Sequence, residues 1–363
     1  MPQDLLLTLV QNKLDQFCDA RRVELREISP EIEVIMDFTQ SLLSGGKRFR
    51  ALFAYWAWHG YANPTGELRL EDPIVGISSS LEMFHAAALV HDDLLDQSDT
   101  RRGAPAIHKR FESLHQQKRF AGSKERFGVA GSVLVGDMML SWSSELFGDS
   151  LLQANHPNSE AACRAEFGKM RFEVMAGQYL DVLEENAAPT RDRSEAVERA
   201  NRVMLYKTAK YSLEAPLLIG AALAGARAEN LSGLSRFGIP LGLAFQLRDD
   251  VLGVFGDPAV TGKPAGDDLR EGKRTVLTGL TLEAVPASVG KLFEELLTSG
   301  ELELEQIEWM RNLIVESGAL EKTEKLISEY SSRSIEALAA LEIDEVARLA
   351  LAQLANAVIN RAK

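Results

Sequence analysis

Two clusters of acidic residues lie within otherwise apolar helical stretches of the chain. The first reads His-Asp-Asp-Leu-Leu-Asp over residues 91–96, and the second reads Gln-Leu-Arg-Asp-Asp over residues 246–250. Apolar residues precede both clusters, at 83–90 and at 239–245, and such segments belong in a protein core. Carboxylates at the end of a buried helix repel one another, so they need nearby cations, a metal ion or protonation. Any fold of this chain must supply that compensation at both clusters.

The spacing within the first cluster indicates a metal site. Asp92 and Asp96 are one turn apart, roughly 6 Å along a helix, so both carboxylates can face one cavity, whereas Asp93 points about 100° away. Hard oxygen ligands of this kind suit Mg²⁺, which keeps water and substrate phosphates as further ligands. An Asp-rich stretch is usually a solvated face or a helix cap. Two such clusters in the same apolar setting nevertheless favour one metal site, built from two helices, that handles a diphosphate.

The apolar periodicity predicts an all-α protein. Residues 195–213 and 321–354 carry apolar side chains at three- and four-residue spacing, and alternating strand patterns are hard to find. No composition shift marks a second domain, so we expect a single domain over 1–363. The longest apolar segments, such as 215–226, fall short of the 18 or so residues that cross a bilayer, and the amino end lacks the basic start of a signal peptide. We therefore expect a cytoplasmic protein without a transmembrane segment.

The distribution of charge restricts the class of ligand. A net charge of −13 argues against general nucleic-acid binding, which depends on broad positive surfaces. Cys18 and Cys163 have no zinc-ligand spacing and are interpreted as packing residues. The polar, basic segment 115–126 is expected to be an exposed loop. Local basic runs within an acidic chain fit a small polyanion.

The basic runs each have a plain structural explanation and a functional one. In the run 45–50, two glycines precede Lys47 and Arg50, and glycines let backbone amides approach an anion at a helix amino terminus. Arg101 and Arg102 could clamp phosphate oxygens with their guanidinium groups. Each run, taken alone, is as readily an exposed basic turn, and a lone helical histidine such as His85 is more often a core residue. The loop between residues 263 and 273 could act as a lid.

Five motifs together resemble the trans-prenyltransferase family, the short-chain isoprenyl diphosphate synthases that include farnesyl and geranylgeranyl diphosphate synthases. They occur in the family's order and separation, and the last ninety or so residues add only a helical pattern. The motifs are GGKRFR (45–50), HDDLLDQSDTRRG (91–103), KTAK (207–210), FQLRDD (245–250) and GKPAGDDLREGK (262–273).

The resemblance implies a single helical bundle around a deep central cavity, a homodimer, and Mg²⁺ bound as three ions with the diphosphate. It implies condensation of isopentenyl diphosphate with allylic diphosphates. The metal residues carried over by position are Asp92, Asp93, Asp96, Asp249 and Asp250. The residues for isopentenyl diphosphate are Lys47, Arg50, His85 and Arg102. Those for the allylic diphosphate are Arg101, Lys207, Thr208, Gln246, Lys263 and Lys273. Asp92, Asp96, Lys207, Asp249 and Lys263 are the expected catalytic set.

Two positions depart from the family pattern, and three others bear on product length. Gly253 stands where many relatives have a third aspartate, and Ala51 replaces a common proline.

In this family, the residues at Ala87 and Ala88 lie beneath the growing chain, and aromatic side chains there stop it at farnesyl length. Small residues leave a deeper cavity with Phe84 as its floor, which predicts geranylgeranyl diphosphate as the main product.

Several alternatives remain open at this stage. The product could be farnesyl or a longer prenyl diphosphate. A class I terpene cyclase shares the metal chemistry but needs no isopentenyl site, so GGKRFR favours elongation. A metal-dependent hydrolase could be argued from His85, His91 and Asp92 but gives no role to FQLRDD. A noncatalytic subunit of a heteromeric synthase is the remaining alternative, although such subunits typically lose the acidic motifs.

Overall fold

A computed structural model describes most of the chain. The described residues are 2–154, 157–257, 266–300 and 302–360. They form two compact units, and helices make up nearly all of both. The first unit comprises residues 1–161 and 223–225, and the second comprises 162–222 and 226–363. The expectation of one domain around a central cavity stays a prediction.

The first unit is built from six helices and one short hairpin among its described residues. The helices are α1 (Pro2–Ile28), α2 (Glu33–Leu43), α3 (Phe49–Ala62), α4 (Pro73–Leu95), α5 (Ile107–Lys118) and α6 (Lys124–Leu152), with a 3₁₀ turn at Pro30–Ile32. Strands β1 (Thr100–Arg101) and β2 (Ala104–Pro105) pair antiparallel. Helix α7 (Pro157–Ala187) begins in this unit and continues into the second.

Helix α4 is the central helix of the first unit and packs closely against α6. The Ser80 hydroxyl donates to the carbonyl of Ser143 at 2.8 Å, and the Ser143 hydroxyl donates back to the carbonyl of Ser80 at 2.9 Å. One turn earlier, a Cβ atom at Gly76 would lie 2.9 Å from Ser150 Cβ. Small residues therefore let the two backbones approach, and this packing fixes the helix that carries the first acidic cluster.

The apolar length of α4 corrects one sequence-based expectation. Helix Pro73–Leu95 is long and apolar enough to cross a membrane, and it is the one such helix found among the described residues. The sequence pattern predicts no apolar segment of that length, so this prediction is wrong for α4. In the structure, 78% of its most apolar window is buried inside the protein, which is typical of a core helix.

The second unit consists of the remaining helices. They are α8 (Ala196–Val203), a π-helix (Met204–Glu214), α9 (Ala215–Leu223), α10 (Ala228–Phe255), α11 (Asp267–Arg270), α12 (Val276–Ala284), α13 (Ala287–Thr298), α14 (Leu304–Glu316), α15 (Ala319–Ala339) and α16 (Glu345–Ile359), with 3₁₀ turns at Ala188–Thr190 and Arg193–Glu195. Buried residues of α10, including Leu247 and Val251, pack with Phe293, Met310 and Ile327 from the later helices. The carboxyl-terminal helices thus support the helix that carries the second acidic cluster.

The exposed loop predicted over 115–126 is present but shorter: residues 119–123 connect the two helices and are exposed, whereas 115–118 belong to α5 and 124–126 to α6. His115 lies in α5 and is buried, and α6 already begins at Lys124. The His115 ring lies 5.6 Å from the ring of Phe127 and 5.9 Å from that of Phe120. These aromatic contacts hold the shortened loop against the ends of the two helices.

Candidate active site

The first acidic cluster occupies the last turn of α4. Asp92 and Asp96 lie one turn apart, both half-buried, and the Asp96 N–H donates to the carbonyl of Asp92 at 2.8 Å. Asp93 is buried, and its Oδ1 accepts a hydrogen bond from Arg101 Nε at 2.7 Å. Arg101 Nη2 also lies 3.5 Å from Asp92 Oδ2. Asp93 therefore holds Arg101 beside the other two carboxylates, and its expected part in metal binding stays a prediction.

A two-residue turn sets the position of both arginines. In the β1–β2 hairpin, Arg101 pairs with Ala104, and the turn residues Arg102 and Gly103 have φ values of 54° and 75°. Positive φ at both central positions is the requirement of the tightest hairpin turns, and glycine meets it without strain. Burial alone would lower the pKa of Arg101. The hydrogen bond to Asp93 and the charges of Asp93, Asp92 and Asp96 have the larger effect, so the pKa of Arg101 is raised. The guanidinium is thus a permanent cation at the acidic cluster.

A second group of cations surrounds the amino end of α3. Arg102 Nη1 donates to the carbonyl of Leu42 at 3.2 Å, and a Cβ atom at Gly46 would lie 2.9 Å from Arg102 Nη2. Gly46 therefore allows the guanidinium to pack on the backbone. Lys47 is exposed and Arg50 is half-buried in the first turn of α3. The structure brings Arg50 and Arg102 into one electrostatic environment, because each contributes to the charge around buried Glu82.

Glu82 was missed in the sequence analysis. It is buried on α4, and Oε1 accepts a hydrogen bond from the Ala51 N–H at 3.2 Å. Burial raises the pKa of Glu82, while the charges of Arg50, Arg48 and Arg102 and the Ala51 hydrogen bond oppose that rise. A signal was present, because Glu82 is the one acidic residue between positions 73 and 91. A lone acidic residue in such a stretch has to be paired when buried.

The two histidines of α4 have different surroundings. His91 Nε2 lies 3.5 Å from the carbonyl oxygen of Val133 and 3.6 Å from Asp137 Oδ1. A Cβ atom at Gly136 would lie 2.5 Å from the His91 ring carbon Cδ2, so the ring packs against α6. His85 is half-buried, two turns before Asp92. This places His91 in a packing contact with α6.

The second acidic cluster forms a hydrogen-bonded chain on α10. The Thr208 hydroxyl donates to Gln246 Oε1 at 2.7 Å, and Gln246 Nε2 donates to Asp250 Oδ1 at 2.8 Å. Burial raises the pKa of Asp250 to about 8; the Gln246 hydrogen bond lowers it, whereas the charges of Asp268 and Asp249 raise it. Asp249 is half-buried beside it. Three residues that the sequence predicted as site residues are therefore linked directly.

Arg248, between Gln246 and Asp249, has a structural role. Its two terminal nitrogens donate to the two carboxylate oxygens of Glu324 at 2.6 and 2.8 Å. This bidentate pair joins α10 to α15 and turns the guanidinium away from the acidic pair.

A π-helix carries Lys207 and Thr208. A π-helix is rare in proteins overall, but the π-helices that do occur are often found at functional sites. In this protein, close backbone contacts accompany the π-helix. A Cβ atom at Gly177 of α7 would lie 2.9 Å from Lys207 Cα, and one at Gly242 of α10 would lie 2.5 Å from Ala209 Cα. Pro216 follows in the first turn of α9, where its missing N–H and its ring prevent the regular hydrogen bond to the preceding turn. Two glycines and a proline thus accommodate the wide helix.

Lys207 has an acidic partner that the sequence analysis did not find. Its Nζ lies 2.5 Å from Asp181 Oδ2, and both side chains are mostly buried. One turn further along the same two helices, Lys210 Nζ lies 2.6 Å from Glu173 Oε1. Asp181 is the one aspartate of α7, but its sequence neighbours do not indicate that it pairs with Lys207.

The remaining candidates are the two lysines that follow α10 and the chain-length residues of α4. Lys273 Nζ lies 2.8 Å from Glu271 Oε2 and 4.0 Å from Asp268 Oδ1. Lys263 lies outside the described residues. Ala87 and Phe84 are fully buried on α4, and Ala88 is half-buried.

The two acidic clusters belong to different units, the first to residues 1–161 and the second to residues 226–363. Over the described ranges, no three His, Cys, Asp or Glu side chains are grouped so that they alone could hold a metal ion. The donor set of each cluster is nevertheless of the type that Mg²⁺ uses, because that ion takes one or two carboxylates and completes its shell with water and phosphate oxygens. The single two-helix metal site stays a prediction.

Comparison with known proteins decides the family. The sequence profile of polyprenyl synthetases matches residues 32–314, a span that includes every motif described above. The chain belongs to the polyprenyl synthetase family. As a polyprenyl synthetase, it is a prenyltransferase of the short-chain prenyl diphosphate synthase type, and the sequence-based assignment is confirmed.

Relatives of this polyprenyl synthetase cover almost its full length. Over 88% of its length, the chain is 30% identical to geranylfarnesyl diphosphate synthase from Aeropyrum pernix, and the match covers 92% of that protein. Over 98% of its length, it is 29% identical to geranylgeranyl diphosphate synthase from Methanosarcina mazei, and the match covers 99% of that protein. Its fold matches a geranylgeranyl pyrophosphate synthase from Corynebacterium glutamicum, complexed with isoprenyl diphosphate and magnesium, with a TM-score of 0.90 and 36% identity over 98% of both chains. The all-α fold class is confirmed.

Proposed function

We propose that this polyprenyl synthetase condenses isopentenyl diphosphate with allylic diphosphates and releases geranylgeranyl diphosphate as its main product. The observation that carries the proposal is the pairing of carboxylates with cations at both clusters: the charges of Asp92 and Asp96 act on Arg101, and the charge of Lys273 acts on Asp250. Paired charges of this kind suit a ligand that brings its own anionic oxygens and divalent cations.

The proposed metal is Mg²⁺, bound as three ions together with the allylic diphosphate. Asp92, Asp96 and Asp249 would hold it, since half-buried carboxylate oxygens are its preferred protein ligands. When bound, it supplies charge neutralisation for the departing diphosphate. The solved relative from Corynebacterium glutamicum, complexed with magnesium, supports this choice.

The residues of the chain have distinct parts in the proposed reaction. Arg101, Lys207 and Thr208 bind the allylic diphosphate and draw charge onto it as its carbon–oxygen bond breaks with both electrons leaving on the diphosphate. Lys47, Arg50, His85 and Arg102 hold isopentenyl diphosphate, whose double bond attacks the allylic carbon and forms the new carbon–carbon bond. An oxygen of the departing diphosphate takes the proton that is lost as the new double bond forms. Lys263 and Lys273 are further cations for the allylic diphosphate, and apolar walls exclude water.

The product length is proposed from helix α4. Ala87 and Ala88 are small, and Phe84 is buried one turn below them. The growing chain would pass the two alanines and stop at the Phe84 ring. The relatives include farnesyl, geranylgeranyl and geranylfarnesyl diphosphate synthases, which differ in the length of the product they are named for. Substitutions at Phe84, Ala87 and Ala88 therefore test the product length of this enzyme.

We also propose that the enzyme is a cytoplasmic homodimer. Helix α6 exposes Val133 and Leu134, and helix α7 exposes Phe172, Met175 and Tyr179. Exposed apolar groups on this scale mark interaction surfaces. The long apolar helix α4 is a buried core helix, which supports a cytoplasmic location.

One experiment tests the proposed function. The purified protein is incubated with Mg²⁺, isopentenyl diphosphate and each allylic diphosphate primer in turn, and product length is read by chromatography. We expect elongation to geranylgeranyl diphosphate, and loss of turnover in the Asp92→Ala, Asp249→Ala double variant or in chelated buffer. Absence of elongation with every primer would instead favour the noncatalytic subunit.

A further inference from the structure

The loop between α5 and α6 carries exposed cations on both sides of an aromatic ring. The segment 118–126 contains four basic residues and one acidic residue, Lys118, Arg119, Lys124 and Arg126 against Glu125. Lys118, Arg119 and Arg126 are exposed, and none of these three forms an ion pair with any part of the chain that the structure describes. Phe120, in the middle of the segment, is 47% exposed. The loop is therefore a small positive surface on a chain with a net charge of −13.

The packing of the loop holds these groups in place. The Phe120 N–H donates to the carbonyl of His115 at 3.1 Å, and the Phe120 ring lies 5.5 Å from the ring of Phe127. The Ser123 hydroxyl oxygen accepts a hydrogen bond from the Arg126 N–H at 3.0 Å and caps the amino end of α6. Because the backbone of the loop is already ordered, binding to this surface costs little conformational entropy.

Arg119 has a backbone conformation that glycine adopts at lower cost. It directly follows α5 with a φ of 55° and a ψ of 42°, in the left-handed region, where helices commonly end on a glycine. A residue with a Cβ atom is strained in this conformation. Since the Arg119 guanidinium has no ion-pair partner over the described ranges, the strain points to a contact of this side chain outside the chain.

The loop lies at the same end of the first unit as the first acidic cluster. Helices α4 and α6 run antiparallel, because Ser80 contacts Ser143, whereas His91 near the end of α4 contacts Val133 near the start of α6. The amino end of α6, and with it the loop, is therefore at the carboxyl end of α4, which carries the acidic cluster.

We propose that the loop 118–126 binds the surface of an anionic lipid bilayer, with the Phe120 ring among the headgroups and the flanking cations against the lipid phosphates. Lys and Arg side chains are attracted by the negative potential of such a surface, and aromatic rings are enriched at the boundary between bilayer and water. A nucleic acid fits less well, because its binding depends on broad positive surfaces.

This inference goes beyond the proposed function. One consequence rests on that function: the bilayer would lie at the end of α4 that the proposed reaction uses, where it could take up the apolar chain of the prenyl product.

Co-sedimentation of the purified chain with lipid vesicles tests the inference without substrates. We expect the protein to sediment with equal mixtures of phosphatidylcholine and phosphatidylglycerol but not with phosphatidylcholine alone, and to be released by added salt. Arg126→Gln and Arg119→Gly should each lower the partition coefficient about fivefold, the contribution of one cation near an anionic surface. Arg119→Gly should also raise the urea midpoint of unfolding, because glycine relieves the left-handed strain. Weaker binding by a more stable variant separates docking from folding.

Lys325→Gln is the matched control, because Lys325 is 78% exposed on α15, a helix of the second unit, and loses the same charge. It should leave vesicle binding unchanged. Equal losses in Lys325→Gln and Arg126→Gln would overturn the inference, since net charge alone would then govern binding. It would also be overturned by wild-type protein that stays in the supernatant with the mixed vesicles or prefers duplex DNA to them, or by Arg119→Gly that binds like the wild type. These outcomes leave elongation in solution, and thus the proposed function, to its own assay.

Discussion

The buried Glu82 carboxylate on α4 accepts a hydrogen bond from the backbone N–H of Ala51 at 3.2 Å, in the first turn of α3. The first four N–H groups of a helix have no partner within it, so Glu82 satisfies one of them. Arg50 precedes Ala51 directly, and its charge lowers the pKa of Glu82 against the effect of burial. Glu82 thereby fixes the end of α3 that carries the proposed isopentenyl diphosphate residues.

Replacement of Glu82 should weaken isopentenyl diphosphate binding selectively. We expect Glu82→Ala to raise the KM for isopentenyl diphosphate about tenfold, ~1.4 kcal/mol, which is the size of one lost hydrogen bond to a charged group. Glu82→Gln keeps an acceptor for the Ala51 N–H and should give a smaller rise. Steady-state kinetics with each substrate varied separately provide the measurement. An equal rise in the KM for the allylic diphosphate would contradict a role specific to α3.

The ion pair between Lys207 and Asp181 leads to a second prediction. Asp181 holds the Lys207 ammonium group in one orientation, so Asp181→Asn should raise the KM for the allylic diphosphate about tenfold or more, since a hydrogen bond to a charged group contributes about 1.5–3 kcal/mol. Glu173→Gln is the control, because Glu173 makes the equivalent pair with Lys210 on the same two helices. Matching effects of the two substitutions would mean that these pairs serve only the packing of the π-helix.

The sequence predicted those features of the site that depend on near neighbours. Apolar spacing indicated helical structure in 195–213 and 321–354, although the second stretch is divided between α15 and α16. The separation of Asp92 and Asp96 follows from helix geometry, and Gly103 marked the turn that carries Arg102. All three are set by residues within a few positions of one another.

Features that depend on distant contacts could not be predicted. Asp181 meets Lys207 across 26 positions, and Ala51 meets Glu82 across 31. A Cβ atom at Gly253 would overlap the carboxylate of Asp268, which follows 15 positions later in a different helix. The π-helix depends on glycines in two other helices. Such pairings arise only when the helices pack.

The raised pKa of Asp250 predicts a pH dependence of stability. Its pKa is about 8 in the folded protein, against 3.8 as the ordinary value, because burial disfavours the charged carboxylate. Because the pKa of Asp250 is higher in the folded than in the unfolded protein, its protonation stabilises the fold. This stabilisation is fully present below about pH 4 and is lost as the pH rises to about 8. In chelated buffer, we expect Asp250→Asn to remove this loss, as measured by denaturant unfolding between pH 5 and pH 9. Parallel pH profiles of the variant and the wild-type protein would contradict it.

The exposed apolar residues of α7 predict the effect of a charge on self-association. Phe172 is 74% exposed, so Phe172→Asp should leave the fold intact and convert the proposed homodimer to monomer in light scattering after gel filtration. Val23→Asp is the control, because Val23 is 59% exposed on α1 and has no exposed large apolar residue three or four positions away, unlike Phe172, Met175 and Tyr179 on α7. A wild-type protein that is already monomeric would contradict the homodimer.

Product length should respond in opposite directions to two substitutions on α4. Ala88→Phe adds a ring where the growing chain is proposed to pass, so we expect the main product to shorten from geranylgeranyl to farnesyl diphosphate. Phe84→Ala removes the ring one turn below and should lengthen it, at a stability cost of about 3–5 kcal/mol for the cavity in a core this tightly packed. The products are separated by chromatography after removal of the diphosphate. Each variant is the control for the other, because general damage to the site would lower the rate of both variants but would not change product length in opposite directions. An unchanged product from Ala88→Phe would place the floor of the cavity on another helix.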